Sequence, residues 1–253
     1  MPDAAARVPV LRAGLAPIKG TRHLAHSSVR LERYGAVGDR RLCLVDVATR
    51  RVLRTVQHPT LTAVLARLEG TALSVTLPDG TAATATPEPS GERLVCDYWG
   101  RAADLELLDG PHDALLSAYL GKPVRLAAAP PRAVIYGGGV TLLARATLDD
   151  LAARTGTPID PARFRATLVI DTGAEPFAED GWRGRELAVG EARVRVAGPI
   201  PRCAVIDIDP VTGERNGRLL RSLASYRPLN AAGEPCFGVY AEVVATGSVR
   251  GMP

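Results

Sequence analysis

Gly198-Pro-Ile-Pro-Arg-Cys-Ala-Val-Ile-Asp-Ile-Asp-Pro-Val-Thr-Gly213 places one cysteine, Cys203, behind an arginine, where a proline-broken loop gives way to alternating apolar residues. The alternation predicts a strand that starts at the thiol. Asp209-Pro210-Val211-Thr212-Gly213 predicts the turn that ends it, because proline cannot donate to a ladder and glycine supplies a positive φ. The other cysteines, Cys43, Cys96 and Cys236, form no C-x-x-C pair with Cys203 or each other, and His23, His26, His58 and His112 lie far from them in sequence. That spacing argues against a structural zinc site. Cys43 in Leu-Cys-Leu-Val and Cys96 at the end of Arg-Leu-Val-Cys read as core thiols.

Outward from this stretch the chain reads as mainly β with some helices, an α+β class. RVPVLRAGLAPIKG (7–20) predicts a strand and a turn, and a second turn at Gly38-Asp39-Arg40 leads into a buried strand over 42–46. A hairpin pattern surrounds Pro78-Asp79-Gly80. Residues 60–68 (TLTAVLARL) fit a strand or a short helix equally. A helix capped by Asp113 or the residues just before it is expected to stop at Gly121, and another is expected from a Thr147 cap to a stop at Gly156. Further strands are expected in 165–173, 186–198 and 237–247, and a helix in 216–227. AAAPPRA (127–133) is a connector, which divides the chain into 1–126 and 127–253.

The chain has 253 residues, of which 46% are hydrophobic and 23% charged, enough to bury a core without staples. With 25 glycines, 20 prolines and 4% aromatics, it suits many short elements joined by tight turns. The net charge of +4 comes from scattered arginines with few aromatics for base stacking, which favours a small anionic ligand over nucleic acid. No apolar run reaches the roughly 18 residues of a membrane span. Arg7 and Arg12 interrupt the N-terminal apolar residues, so no leader is read and the expected location is cytoplasmic. Two disulfides are arithmetically possible, but that compartment argues against them.

Several stretches recur together in one order: PIKG (17–20), Gly38-Asp39-Arg40, Asp97-Tyr98-Trp99-Gly100, LLSAYLGKPVRL (115–126), RFRATLVID (163–171), EDGW (179–182), PRCAVIDIDPVTG (201–213), LLRSLASYR (219–227) and FGVY (237–240). This ordered set resembles the MOSC family, specifically members with an N-terminal MOSC β-barrel domain, a group that includes the mitochondrial amidoxime-reducing component and bacterial relatives. The resemblance implies an N-terminal MOSC β-barrel-like domain over 1–126 and a C-terminal MOSC β-barrel domain over 127–253. It also implies a molybdenum cofactor, Mo-molybdopterin, with Cys203 as the metal's protein ligand and catalytic residue. A soft thiolate suits a sulfur-rich molybdenum centre, and Arg202 favours the deprotonated sulfur.

By the same resemblance Lys19, Arg40, Gly138, Arg165, Thr167 and Arg202 contact the cofactor. Arg165 is independently notable as a charge two residues before an apolar strand. The chain departs from relatives at Gly20, where serine is frequent, and at Thr167, where asparagine is frequent. Gly137-Gly138-Gly139 stands where hydroxyl-bearing contacts are usual; these glycines read either as backbone brought close to a ligand or as a flexible linker. Asp207 and Asp209 are read as turn carboxylates or proton donors, and Tyr136 as a substrate-side residue.

The implied activity is molybdenum-dependent reduction of N-hydroxylated small molecules. The alternatives are a sulfur-transfer or C–S bond-cleaving enzyme that uses the Cys203 thiol without molybdenum, and a non-catalytic barrel that holds or hands over the cofactor. No four-cysteine iron–sulfur spacing is present, so electrons are expected from a separate ferredoxin- or flavin-type reductase. The final strand is expected to end earlier than in relatives.

Overall fold

Leu42–Asp46, where every residue but the last is buried, shows how the first half is built. Leu42 and Leu44 point into one core, with Ile18, Leu61, Leu73, Leu116 and Leu126, while Cys43 and Val45 point into another, with Cys96, Tyr98, Leu105 and Leu107. A strand buried on both faces reads as a continuous apolar run, which is why Leu-Cys-Leu-Val carries no polar alternation. In this computed structural model, which describes residues 6–173 and 175–251, the strand belongs to a closed barrel. The other barrel strands are Arg51–Val52, Glu88–Tyr98, Arg101–Asp109 and Arg125–Ala128. A three-stranded meander of Leu65–Glu69, Ala72–Thr76 and Ala82–Ala85 flanks it. The chain is therefore mainly β with a few helices.

The second half is organised by an eight-stranded mixed sheet. Val140–Ala144 and Leu168–Ile170 pair in parallel, joined by the helix Arg145–Thr155 as a crossover. Glu186–Val189, Ala192–Pro201 and Cys236–Ala245 extend the sheet antiparallel. Val10–Leu15 pairs with Leu168–Ile170, and Ser28–Glu32 pairs with Gly247–Arg250, so strands from the first 36 residues lie within the second half's framework. Pairing thus crosses the 126/127 division expected from the sequence. One core unites Val10, Leu31, Val140, Leu168, Val194 and Val249. Truncating one of its fully buried leucines would cost about 2–5 kcal/mol.

Three local expectations need correction. Residues 204–207 form a 3-10 turn, not a strand; the preceding strand, Ala192–Pro201, ends before Cys203. Asp113 does not cap its helix, His112–Leu120, because its carboxylate accepts the Leu126 N–H at 2.7 Å. Thr147 lies inside its helix, where its hydroxyl donates to Glu179 Oε2 at 2.9 Å and accepts from the Phe177 N–H at 2.8 Å. Glu179 Oε1 accepts the Ala144 N–H at 3.2 Å, so this buried carboxyl, from the EDGW stretch, satisfies the helix N-terminus instead. Gly121 and Gly156 end their helices in the left-handed conformation, as expected. The ambiguous stretch resolves into both elements: a 3-10 turn over Pro59–Ala63 and a strand over Leu65–Glu69. No described helix is long and apolar enough to cross a membrane.

Candidate functional site

The PIKG loop and the Gly38-Asp39-Arg40 turn are knitted together by their backbones. Asp39 Oδ1 accepts the Ala16 N–H at 3.0 Å, and the Arg40 N–H donates to Ala16 O at 2.8 Å. The Lys19 N–H donates to Leu42 O at 2.8 Å, and the Leu42 N–H to Pro17 O at 3.0 Å. Arg40 is held in a left-handed conformation, φ 49°. This stitching brings Lys19 and Arg40 to one wall of a cavity of about 250 Å³.

Arg165 reaches the same cavity from the second half. Asp160 caps a 3-10 turn over Pro161–Phe164 by accepting the Ala162 N–H, with Pro161 preset at its start. The turn ends with Arg165 at φ 53°, and Nη1 donates to Thr21 O at 2.7 Å. Arg202 is buried and pinned: Nε donates to Phe237 O at 2.8 Å and Nη1 to Phe164 O at 3.1 Å. Arg165 Nη2 and Arg202 Nη2 are buried without a hydrogen-bond partner among the described residues. Cys203, one residue on, is a free, exposed thiol in the cavity wall, whereas Cys43, Cys96 and Cys236 are buried. Burial pushes the Cys43 thiol up to about 12.

Charge makes this cavity unusual. Arg40 pairs with Asp39 at 3.1 Å, Arg54 with Asp97 at 3.0 Å and Arg163 with Asp209 at 3.0 Å. Lys19, Arg165 and Arg202 enter no ion pair among the described residues. Desolvation, with Arg40 and Arg165 close by, pulls the Lys19 ammonium down to about 7. Desolvation and Arg40 likewise bring Arg165 down to about 9. Desolvation brings Arg202 down to about 10. Lys19 and Arg165 are half-buried and Arg202 is buried, and Asp39, which offsets the first two in part, is already paired with Arg40. Cationic charge in excess of its counter-charge is costly at such a site, so the arrangement calls for an anion. Strain concentrates here as well: of the six described non-glycine residues at positive φ, Arg40, Trp99 and Arg165 line this cavity.

Lys19, Arg40, Gly138, Arg165, Arg202 and Cys203 therefore line one cavity, although they come from segments far apart in sequence. Thr167 does not line it. Its hydroxyl is turned to Thr141, accepting the Thr141 N–H at 3.1 Å beside a 3.2 Å hydroxyl contact, and Thr141 takes its place on the lining. The glycine run packs tightly, since a Cβ on Gly137 would lie 2.3 Å from the Tyr240 ring and one on Gly138 would lie 2.9 Å from Tyr240 Cβ. That excludes a free linker and makes Tyr240, in FGVY, a wall residue. Desolvation raises the Tyr240 hydroxyl pKa, against the pull of nearby Arg202.

Asp207 and Asp209 lie outside the lining. Asp207 Oδ1 accepts the Leu220 N–H at 3.0 Å, and Asp209 Oδ1 accepts those of Val211 and Thr212 at 2.8 and 3.0 Å. The Asp209 turn packs against the first half: the Thr62 hydroxyl donates to Asp209 O at 3.2 Å, and Arg22 Nη2 to Val211 O at 2.9 Å. The segment following Cys203 is thus braced on the opposite barrel. Sequence reasoning missed Arg54, Arg163 and Thr141 as lining residues. Arg163 lies inside the quoted RFRATLVID stretch, but nothing local distinguishes Arg54 or Thr141.

A β-barrel half and a mixed-sheet half enclose a cationic cavity with one exposed thiol, and by the family models that match it the chain belongs to the MOSC family. Residues 13–123 match the MOSC N-terminal beta barrel domain and residues 137–251 the MOSC domain. The molybdenum cofactor sulfurase of Danio rerio is 44% identical over 78 residues, covering 31% of this chain and 8% of that protein. The mitochondrial amidoxime reducing component 2 of Rattus norvegicus is 32% identical over 118 residues, covering 44% of this chain and 34% of the relative. The chain thus aligns with about a third or less of these curated relatives' length. The YUAD protein from Bacillus subtilis is a solved structure of 11% identity and TM-score 0.43, matched over 96% of this chain and 91% of its own.

Proposed function

We propose that this protein is a molybdenum-cofactor oxidoreductase that reduces N-hydroxylated small molecules, with Cys203 as the metal's protein ligand. One observation carries the reading: an exposed thiol shares a cavity with three cations that have no ion-pair partner among the described residues, two of them with an orphaned buried N–H. The donor set fits a cofactor bearing phosphate and sulfur. Lys19, Arg165 and Arg202 would hold its anionic end, and Cys203 would offer a soft ligand. Among the described residues no three of His, Cys, Asp or Glu cluster to hold a metal, so a metal at Cys203 takes its remaining ligands from outside the chain. When bound, the cofactor supplies the two-electron chemistry that removes oxygen from the substrate. The chain's own part is to neutralise the cofactor's charge, to orient Cys203 through the backbone-anchored Arg202, and to keep the cavity shaped by Tyr240 and the glycines.

The protein works in the cytoplasm with a separate ferredoxin- or flavin-type reductase as electron donor. The test is reduction of an amidoxime to its amidine by cofactor-loaded protein, with dithionite-reduced viologen as electron source. Wild type turns over and Cys203→Ser does not. Metal-free protein that instead releases sulfur from a thio-substrate, with loss in Cys203→Ser, supports the alternative of sulfur transfer or C–S cleavage through the same thiol.

A further inference from the structure

Two large exposed aromatic rings line the cavity and belong to none of the hydrophobic cores. Trp99 is 46% and Tyr136 61% exposed, and both line the cavity. Their centroids are 6.2 Å apart with the planes at 61°, an edge-to-face arrangement. They come from different parts of the chain: Trp99 from the tight turn between Glu88–Tyr98 and Arg101–Asp109, Tyr136 from the segment before Val140–Ala144.

Trp99 is held in place at a cost. Its backbone is left-handed at φ 56°, a conformation that bulky side chains rarely adopt. The Gly100 N–H donates to Asp97 Oδ1 at 2.8 Å and so fixes the turn. Asp97 Oδ2 accepts from Arg54 at 3.0 Å, and that guanidinium lies 4.2 Å from the centroid of the Trp99 ring. One face of the indole is therefore occupied by Arg54, with Tyr136 packed edge-to-face nearby, while nearly half of the residue stays open to solvent. A strained backbone, an ion pair and a cation–π contact converge on presenting an apolar ring to water, which hydrophobic burial alone would not select.

We propose that Trp99 and Tyr136 form a substrate platform that grips the planar aromatic end of the compound reduced in the cavity, so that aryl-bearing N-hydroxylated substrates are preferred over alkyl ones. This names the substrate class for the function proposed above and rests on that reading. Trp99 and Tyr136 act as specificity residues in the same cavity, distinct from the Lys19, Arg165 and Arg202 cations and from the Cys203 thiol, with Trp99 packed on the ion-paired Arg54. Stacking on a preorganised ring adds affinity shared by ground state and transition state, so it shows in KM and leaves kcat alone.

The experiment compares benzamidoxime with acetamidoxime on cofactor-loaded wild type, Trp99→Ala, Trp99→Phe, Tyr136→Ala and Tyr136→Phe. KM for benzamidoxime rises roughly three- to tenfold in each alanine variant at unchanged kcat, and the phenylalanine variants stay near wild type. Acetamidoxime is unaffected in all of them. Tyr136→Ala removes an exposed side chain from an unstrained position, so it covers the case in which Trp99→Ala disturbs folding. A second arm needs no turnover: calorimetric titration with benzamide and acetamide, neither of which carries an N–O bond, gives an aryl preference that falls by the same factor in the alanine variants. If neither amidoxime is reduced but the aryl preference falls, the platform stands and the proposed reaction fails. An aryl preference unchanged in both alanine variants overturns the platform. So does loss of molybdenum from Trp99→Ala and Tyr136→Ala, which would make the rings part of the cofactor's seat.

Discussion

Lys19 offers a test that needs no cofactor and no substrate. In the cavity its ammonium has lost water and faces Arg40 and Arg165, which brings its pKa from 10.5 to about 7. At about 1.4 kcal/mol per unit this corresponds to about 5 kcal/mol against the charged form. Lys19 is only half-buried, so solvent screening discounts much of that, leaving about 2 kcal/mol. Below pH 7 both folded and unfolded chains carry the proton and the full penalty stands. Between pH 7 and 10.5 the unfolded chain holds a proton that the folded one has released, so stability climbs with pH across that window. Lys19→Met, similar in length and uncharged, removes the penalty. Anion-free protein of that variant should be about 2 kcal/mol more stable than wild type at pH 6, a Tm gain of about 4–8 °C, and the gain should shrink towards pH 10.5. Inorganic phosphate should raise the wild-type Tm at pH 6 and do less for Lys19→Met, because the anion supplies the missing counter-charge. Thermal melts of dialysed protein from pH 6 to 10 measure both. A variant no more stable than wild type at pH 6, or a gain that does not shrink with pH, would refute the claim that Lys19 is an uncompensated charge.

Two further predictions concern the frame around the site. Gly138→Ala places a methyl 2.9 Å from Tyr240 Cβ and 3.0 Å from its Cδ1, so it should lower stability by about 1–3 kcal/mol and weaken phosphate binding; Tyr240→Ala removes the ring but keeps the Cβ, so combining the two should recover only part of the stability, measured by denaturant unfolding of the single and double variants. Burial raises the Glu179 pKa, so its stability contribution is complete below the unfolded value and fades as pH rises through the folded one; Glu179→Gln should flatten that decline. Glu179→Ala should cost about 1–3 kcal/mol at pH values below that decline, because the Ala144 N–H and the Thr147 hydroxyl lose their partner, and less above it.

What could be read from the sequence was whatever short-range chemistry decides. Gly121 and Gly156 ended helices because only a left-handed residue closes them, and Leu-Cys-Leu-Val announced a strand buried on both faces. Asp209 made its turn because its side chain accepts the next backbone N–H groups. The apolar alternation after Cys203 misled for a long-range reason: Ile206 is buried among Phe164, Leu219 and Phe237 by the fold of a 3-10 turn, and its neighbours' backbones bond within the loop, not to a ladder. Thr167 and Thr141 exchange hydrogen bonds across two paired strands, so which of them faces the cavity depends on a register that no local pattern encodes. The tight fit of Gly137 and Gly138 against Tyr240 spans about a hundred residues and was equally hidden. Lys19, Arg40, Arg165, Arg202 and Cys203, which line one cavity, were singled out by the resemblance of their ordered motifs to a family, and spacing alone did not locate them.

The central claim is that the exposed sulfur of Cys203 holds a metal whose organic partner is seated by the cations beside it. Metal and pterin analysis of protein made in a host that synthesises the cofactor tests it most directly, with Cys203→Ala prepared alongside. Stoichiometric molybdenum and pterin in wild type, with the molybdenum lost from the folded variant, is the predicted result. Wild-type protein without molybdenum, or a variant that retains all of it, would contradict the account.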